Sequence, residues 1–155
     1  MKYRQLGKYG IRLSAIGIGS WLTYGMSIND KTALNCIKTA IENGIIFFDT
    51  ADIYNKGEAE LSLGRIFFDE LKITREDVVI ASKCFWPMSQ NPNDQGLSRK
   101  HVFESVHKSL KRLKTDYIDI YQCHRHDPNT PMEEICRSFN DLILQGKLLY
   151  WGVSE

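Results

Sequence analysis

Apolar positions along this chain alternate between two textures: short dense runs, and longer stretches in which apolar residues recur every three or four positions. The dense runs are IRLSAIGIGS (11–20), GIIFFD (44–49), DVVIASK (77–83), YIDIYQCH (117–124) and LLYWGVS (148–154). Rich in β-branched residues and closed by polar or glycine signals, they predict strands buried on both faces. The longer stretches predict helices. Leu34, Ile37 and Ile41 share one helical face, with Asn29 or Asp30 available as cap and Asn43-Gly44 as stop. Ser98 can cap a second face of Val102, Val106, Leu110 and Leu113, beside which Lys108, Lys111, Arg112 and Lys114 read as a solvated basic run. Thr130 falls at a cap position with Pro131 first in the helix and Glu133 three after the cap. Ile135, Phe139 and Leu142 then follow on one side, and Gly146 ends the helix.

Five such strands alternating with four helices predict an α/β fold with parallel pairing and right-handed crossovers. Ahead of them KYRQLGKYGIRLS predicts a short hairpin turning at Lys8-Tyr9-Gly10. No linker or low-complexity stretch divides the chain. Its longest loop, Trp86 to Leu97, has a length that suits a functional segment.

Composition narrows the function classes. With 155 residues, 43% hydrophobic and 25% charged, the chain suits one packed domain. A formal charge of +1 gives no basic field for a phosphate backbone, so nucleic acid is excluded as an expected partner. Met1 to Gly10 lacks an apolar leader, and no run approaches the roughly 18 apolar residues that span a bilayer, which predicts a cytoplasmic protein that is not membrane-embedded. Cys36, Cys84, Cys123 and Cys136 are scattered, without the close pairs of metal or redox motifs, and read as reduced packing residues.

Parallel α/β domains deliver every strand's C-terminal end to one edge, where ligands bind. Asp49 ends the second strand, Tyr54 lies in the loop beyond it, Lys83 ends the third strand and His124 the fourth, so all four should meet at one rim. Singly, each has an ordinary explanation as a solvated strand end, a packing lid or a structural histidine. Together they support proton transfer. A phenol with an ordinary pKa of about 10 is a poor acid at neutral pH unless a cation stabilises its phenolate. Lys83 is the candidate cation, Asp49 would orient it, and His124 could polarise a carbonyl oxygen beside Tyr54. Such a set protonates an alkoxide but supplies no electrons, so a hydride must come from a cofactor.

The segments DTADIYNKGEAELSLG, VVIASK, YIDIYQCHRHD and YWGVS resemble, in order and spacing, the signatures of the aldo-keto reductases. MKYRQLGKYGIRLS, GLSRKHVFES and RHDPNTPMEE resemble most the branch of voltage-gated potassium channel β subunits and their bacterial relatives. The resemblance runs from Met1 to Glu155 and implies a (β/α)8 TIM barrel that uses NADPH, without metal, to reduce aldehydes or ketones. It implies a catalytic tetrad of Asp49, Tyr54, Lys83 and His124, with Tyr54 as general acid. Gly19-Ser20-Trp21 matches the family's Gly-Thr-Trp, so Ser20 and Trp21, with Asp49, would border the cofactor, and Ser154 would hydrogen-bond the nicotinamide carboxamide. Trp21 and Trp86 would line the substrate mouth, and Trp151 would lie near the nicotinamide. His124 is the choice typical of competent enzymes where the channel subunits tend to carry asparagine. Glu155 and Ser27 depart from relatives that tend to have asparagine or arginine, and glutamine, at those points.

A (β/α)8 barrel takes eight strands and typically about 250 residues, whereas this chain stops with its fifth strand. The resemblance therefore implies that residues 1–155 are the N-terminal part of a single barrel domain: five parallel strands and four helices behind a hairpin. Open sheet edges predict homo-oligomerisation. Two other readings stay open: a nucleotide-binding regulatory subunit that docks on a membrane protein, and a truncated half-barrel without turnover.

Overall fold

The computed structural model describes residues 1–24 and 27–154. β1 (Tyr3–Gln5) and β2 (Arg12–Ser14) form the antiparallel hairpin, with Tyr3 opposite Ser14. Five parallel strands follow: β3 (Gly17–Gly19), β4 (Phe47–Asp49), β5 (Val79–Cys84), β6 (Ile118–Cys123) and β7 (Leu148–Val153). Their order in the sheet is their order in the chain. Each crossover thus steps one place the same way, the winding of a barrel rather than of a doubly wound sheet. The helices are α1 (Asp30–Glu42), α2 (Glu58–Gly64), α3 (Arg99–Leu113) and α4 (Met132–Leu144), and α2 runs on into a π-helical turn over Arg65–Glu70.

The hydrophobic run 11–20 is not one strand: it is split between the hairpin and the parallel sheet. The Ser14 hydroxyl donates to Ile16 O at 2.7 Å and accepts the N–H groups of Ile46 and Phe47 at 3.2 Å each, which turns the chain and ties it to the start of β4. Asn29 caps α1 through Thr32 N–H, and Ser98 caps α3 through His101 N–H. Thr130 does not cap α4. Its hydroxyl donates to Asp127 Oδ2 at 2.8 Å, and Pro131 takes the cap position without a side-chain bond.

Strand alternation sorts the side chains into two layers. Phe48, Ile80, Tyr121 and Phe139 belong to the large cluster between sheet and helices, where the Phe48 and Phe67 rings meet edge to face at 4.8 Å. On the concave face Val79, Ala81 and Ile120 are buried, with Phe47, Tyr150 and the hairpin's Leu6 and Leu13 packed against them. The hairpin thereby covers the lower part of the inner face. A cavity of about 710 Å3 lies there, lined by Leu13, Phe47, Ala81 and Tyr150 among others.

In the basic run on α3, Lys108, Lys111 and Lys114 are exposed as expected, but Arg112 is not part of that solvated face. Arg112 turns inward and donates from Nε to Glu60 Oε2 at 2.6 Å, while Lys108 pairs with Asp94 and Lys114 with Asp69. All four cysteines are free; Cys84 and Cys123 are buried, but Cys36 is exposed. Among the described residues no helix is long and apolar enough to cross a membrane.

Candidate active site

The inward rows of the strands end in polar residues. Parity alone places Phe47 and Asp49 on one face of β4, and Val79, Ala81 and Lys83 on the same face of β5. It carries Ile120 and Gln122 of β6 on to His124, and Tyr150 of β7 through Gly152 to Ser154. Apolar floors and polar tips are what a packed barrel with a site at its C-terminal rim requires.

Lys83 is the hub. It is 5% exposed, and its ammonium lies 2.8 and 2.7 Å from the two Asp49 oxygens, 2.8 Å from Thr50 O and 3.4 Å from the Tyr54 hydroxyl. Three close acceptors hold the charge, and the phenol lies at a longer reach beside them. The His124 ring stands edge to face with Tyr54 at 5.7 Å, and His124 N–H donates to Cys84 O at 3.1 Å, extending the β5–β6 ladder by one bond. Burial, aided by the charges of Lys83 and Arg125, pushes His124 down to a pKa of about 4. The imidazole is therefore neutral at physiological pH, with its Nδ1 buried and unpartnered among the described residues. A neutral ring beside a phenol can direct a carbonyl oxygen toward it.

A cleft of about 540 Å3 opens over this group, lined by Trp21, Tyr54, Trp86, His124, Arg125 and Ser154 with Leu22, Ile53 and Asn55. Trp21 stacks on Tyr54 at 6.4 Å, and Trp86 meets His124 edge to face at 6.4 Å. This cleft, not the larger cavity on the inner face, holds the titratable groups. Tyr54 reaches it from a constrained loop in which Asn55 (φ 48°), Lys56 (φ 52°) and Gly57 (φ 95°) are all left-handed. The positive φ favours glycine at Gly57, and a Cβ there, 2.7 Å from Arg112 Cδ, would also make the Arg112 side chain shift. Behind the loop, Ser82 and Arg112 both bond the buried Glu60 carboxylate at 2.6 Å, and Asp52 lies beside them.

The structure brings Asp49, Tyr54, Lys83 and His124 together and sets Trp21, Trp86 and Ser154 at the cleft. Ser20 lies just beneath: its N–H donates to Asp49 O at 2.9 Å, and its hydroxyl is buried without a partner among the described residues. Trp151 is elsewhere. It occupies the opposite parity of β7 from Tyr150 and stacks on Phe139 of α4 at 4.9 Å, on the helix side. Ser27 donates to Leu22 O, and Glu155 lies outside the described residues. Sequence reasoning missed Arg125, Asn55, Glu60 and Arg112. Arg125 and Asn55 directly follow residues it did single out, whereas the Glu60–Arg112 pair spans 52 positions and leaves no local signal.

The sequence profile of the Aldo/keto reductase family matches residues 15–155. The chain belongs to that family. It is 43% identical over its whole length to a probable voltage-gated potassium channel subunit beta of Arabidopsis thaliana, and 44% identical to a protein of the same description in Oryza sativa subsp. japonica. It covers 47% of each and so spans about half the length of these relatives. Among solved structures it superposes on the holo form of an aldo-keto reductase from Bacillus halodurans with a TM-score of 0.85 at 32% identity, covering 99% of this chain and 50% of that one. This aldo-keto reductase chain is thus a partial barrel of the TIM type: five parallel strands, four helices and the N-terminal hairpin.

Proposed function

We propose that residues 1–155 form the N-terminal part of a barrel that reduces aldehyde or ketone carbonyls with NADPH, with Tyr54 giving the proton. The observation that carries this reading is the Lys83 ammonium, held by both Asp49 oxygens and lying 3.4 Å from the Tyr54 hydroxyl beside a neutral His124. Family membership supports oxidoreduction as the class of chemistry.

The nicotinamide end of the cofactor fits what surrounds the tetrad. Trp21 offers a flat exposed ring, Ser154 lines the cleft, and Ser20 carries an unpartnered hydroxyl next to Asp49. When bound, the dihydronicotinamide supplies the hydride. His124 orients the carbonyl oxygen, Tyr54 protonates it as negative charge develops, and Lys83 stabilises the phenolate left behind. Trp21 and Trp86 exclude water from the mouth.

Tyr54→Phe tests the assignment. Carbonyl reduction should fall by roughly 10²- to 10⁴-fold, the usual contribution of a positioned acid, while NADPH affinity stays within about twofold. Unaltered turnover would sink it. The two plant relatives favour a second reading, a nucleotide-binding regulatory subunit that docks on a membrane protein. That reading expects NADPH binding without reduction of any carbonyl, and the same assay on the unmutated protein separates the two.

A further inference from the structure

The loop between β5 and α3 carries Trp86 to the cleft and shares a further cavity, about 570 Å3, with the loop between β6 and α4. The Asp127 side chain joins the two loops by hydrogen bonds, and the Arg125 guanidinium lies over the Trp86 ring at 5.8 Å. Asp127 is 6% exposed, and its carboxylate accepts from Leu97 N–H at 2.7 Å and the Thr130 hydroxyl at 2.8 Å on Oδ2, and from Asn129 N–H at 3.0 Å on Oδ1. Gly96 presses on the same oxygen: with φ +77°, a Cβ there would stand 2.7 Å from Oδ2. Gly96 N–H in turn donates to Phe85 O at 2.7 Å, closing the two ends of the loop on each other one residue before Trp86. An unbroken path therefore runs from Asp127 through Leu97, Gly96 and Phe85 to the ring that faces His124.

We propose that Asp127 is the positioning residue of the substrate mouth, fixing Trp86 against His124 by clasping the root of the 86–97 loop and so setting how large a carbonyl compound enters. The proposal rests on the carbonyl-reductase reading. The loop has a separate anchor at its far side, where Asp94 bonds Lys108 at 3.1 Å and its backbone O accepts Met88 N–H at 3.1 Å, so loss of the clasp frees the root without detaching the whole segment. Burial pushes the Asp127 carboxyl up, but the Leu97, Thr130 and Asn129 donors outweigh it and hold it below its ordinary value. The clasp stays charged at neutral pH, and charge-assisted hydrogen bonds are the strong ones.

Hydrogen–deuterium exchange on the 155-residue chain reads the clasp without any need for turnover. In Asp127→Ala the amides of residues 85–98 should exchange roughly tenfold or more faster, as expected for loss of a hydrogen bond to a charged group, while β5 and β6 keep their protection. Thr130→Val removes one donor and should give a smaller acceleration of the same segment; it decides the matter if Asp127→Ala does not fold. Unchanged exchange over 85–98 in a folded variant overturns the proposal. Steady-state kinetics read the mouth. KM for a bulky aryl ketone should change several-fold in Asp127→Ala relative to a small aldehyde, with kcat within about twofold and NADPH affinity unchanged, and equal effects on both substrates would overturn the size-setting role. If the unmutated 155-residue chain reduces no carbonyl, turnover by these residues alone fails, and the exchange result by itself upholds or overturns the clasp.

Discussion

Asp52 lies within two positions of Tyr54 and is almost wholly buried, yet neither of its carboxylate oxygens makes a well-formed hydrogen bond among the described residues. Burial first, then the Glu60 charge, raises its pKa to about 8, and Arg112 only partly opposes them. The acid is therefore mostly protonated at pH 7, and the Arg112 and Ser82 donors bond Glu60 rather than Asp52. Here the folded chain holds a proton that the unfolded chain releases above about pH 4. This contribution to stability is full below that pH and is lost progressively as pH rises to about 8. Asp52→Asn cannot ionise, so its melting temperature should gain on the parent's as pH rises from 5 to 8. Parallel melting curves against pH would contradict the buried proton. The opposite shift at His124 has its own consequence. Its pKa of about 4 leaves it neutral through the range where an ordinary histidine charges, so reduction should show no loss from imidazole protonation between pH 7 and 5. A pH–rate profile with an acidic limb near 6.5 would contradict that. That Asp49, Lys83 and His124 reach one rim was legible because strand ends declare themselves in a sequence, and Tyr54 lies in the loop just beyond one of them. Asp52, Glu60 and Arg112 were not, since Arg112 lies in a run of lysines and its partner is set by how α2 and α3 pack.

That packing is an element-scale property. At Gly64, the last residue of α2, an added Cβ would meet Arg112 O at 2.5 Å and Leu113 C at 2.7 Å, both backbone atoms of α3 that cannot swing aside. The approach positions Glu60 to meet Arg112 and so supports the loop that presents Tyr54. Gly64→Ala should force the helices apart and destabilise the fold by about 1–3 kcal/mol, the usual cost of overpacking. Denaturant unfolding checks this, and an unchanged midpoint would mean that α2 and α3 separate at no cost. Element boundaries were legible where a side chain states them. Asn29, one of the two residues offered as the α1 cap, takes that role, and Ser98 caps α3 as expected. Thr130 does not cap α4, because Asp127, three positions earlier, offers its hydroxyl a buried carboxylate and draws it away from the helix end. The run 11–20 reads as one strand in hydropathy and becomes two because Ser14 finds the β4 backbone at Phe47, a contact 33 positions away. Trp151 was misplaced for a simpler reason: Ser154 and Tyr150 share its strand's inward parity and it does not.

Across the whole molecule, strand order and crossovers build a curved parallel sheet whose two outer strands, β3 and β7, each have a single pairing partner among the described residues. Their outer edges carry unpaired backbone groups, and apolar side chains are exposed beside them: Ile16 at the approach to β3, Leu149 and Val153 on β7. None of the usual protections is evident on β7, which has six residues and neither proline nor charge. The hairpin relieves only the lower inner face, through Leu6 and Leu13. An edge of this kind recruits another strand, and in the isolated chain the only strands on offer belong to other copies. Light scattering on the purified 155-residue chain should therefore give a mass above the monomer's 17.9 kDa that rises with concentration. Val153→Lys places a charge on the exposed edge of β7 and should shift the distribution toward monomer while leaving the tetrad's elements in place. A monodisperse monomer at every concentration would show that the β3 and β7 edges are satisfied within one chain, and a Val153→Lys variant as associated as its parent would move the contact away from β7.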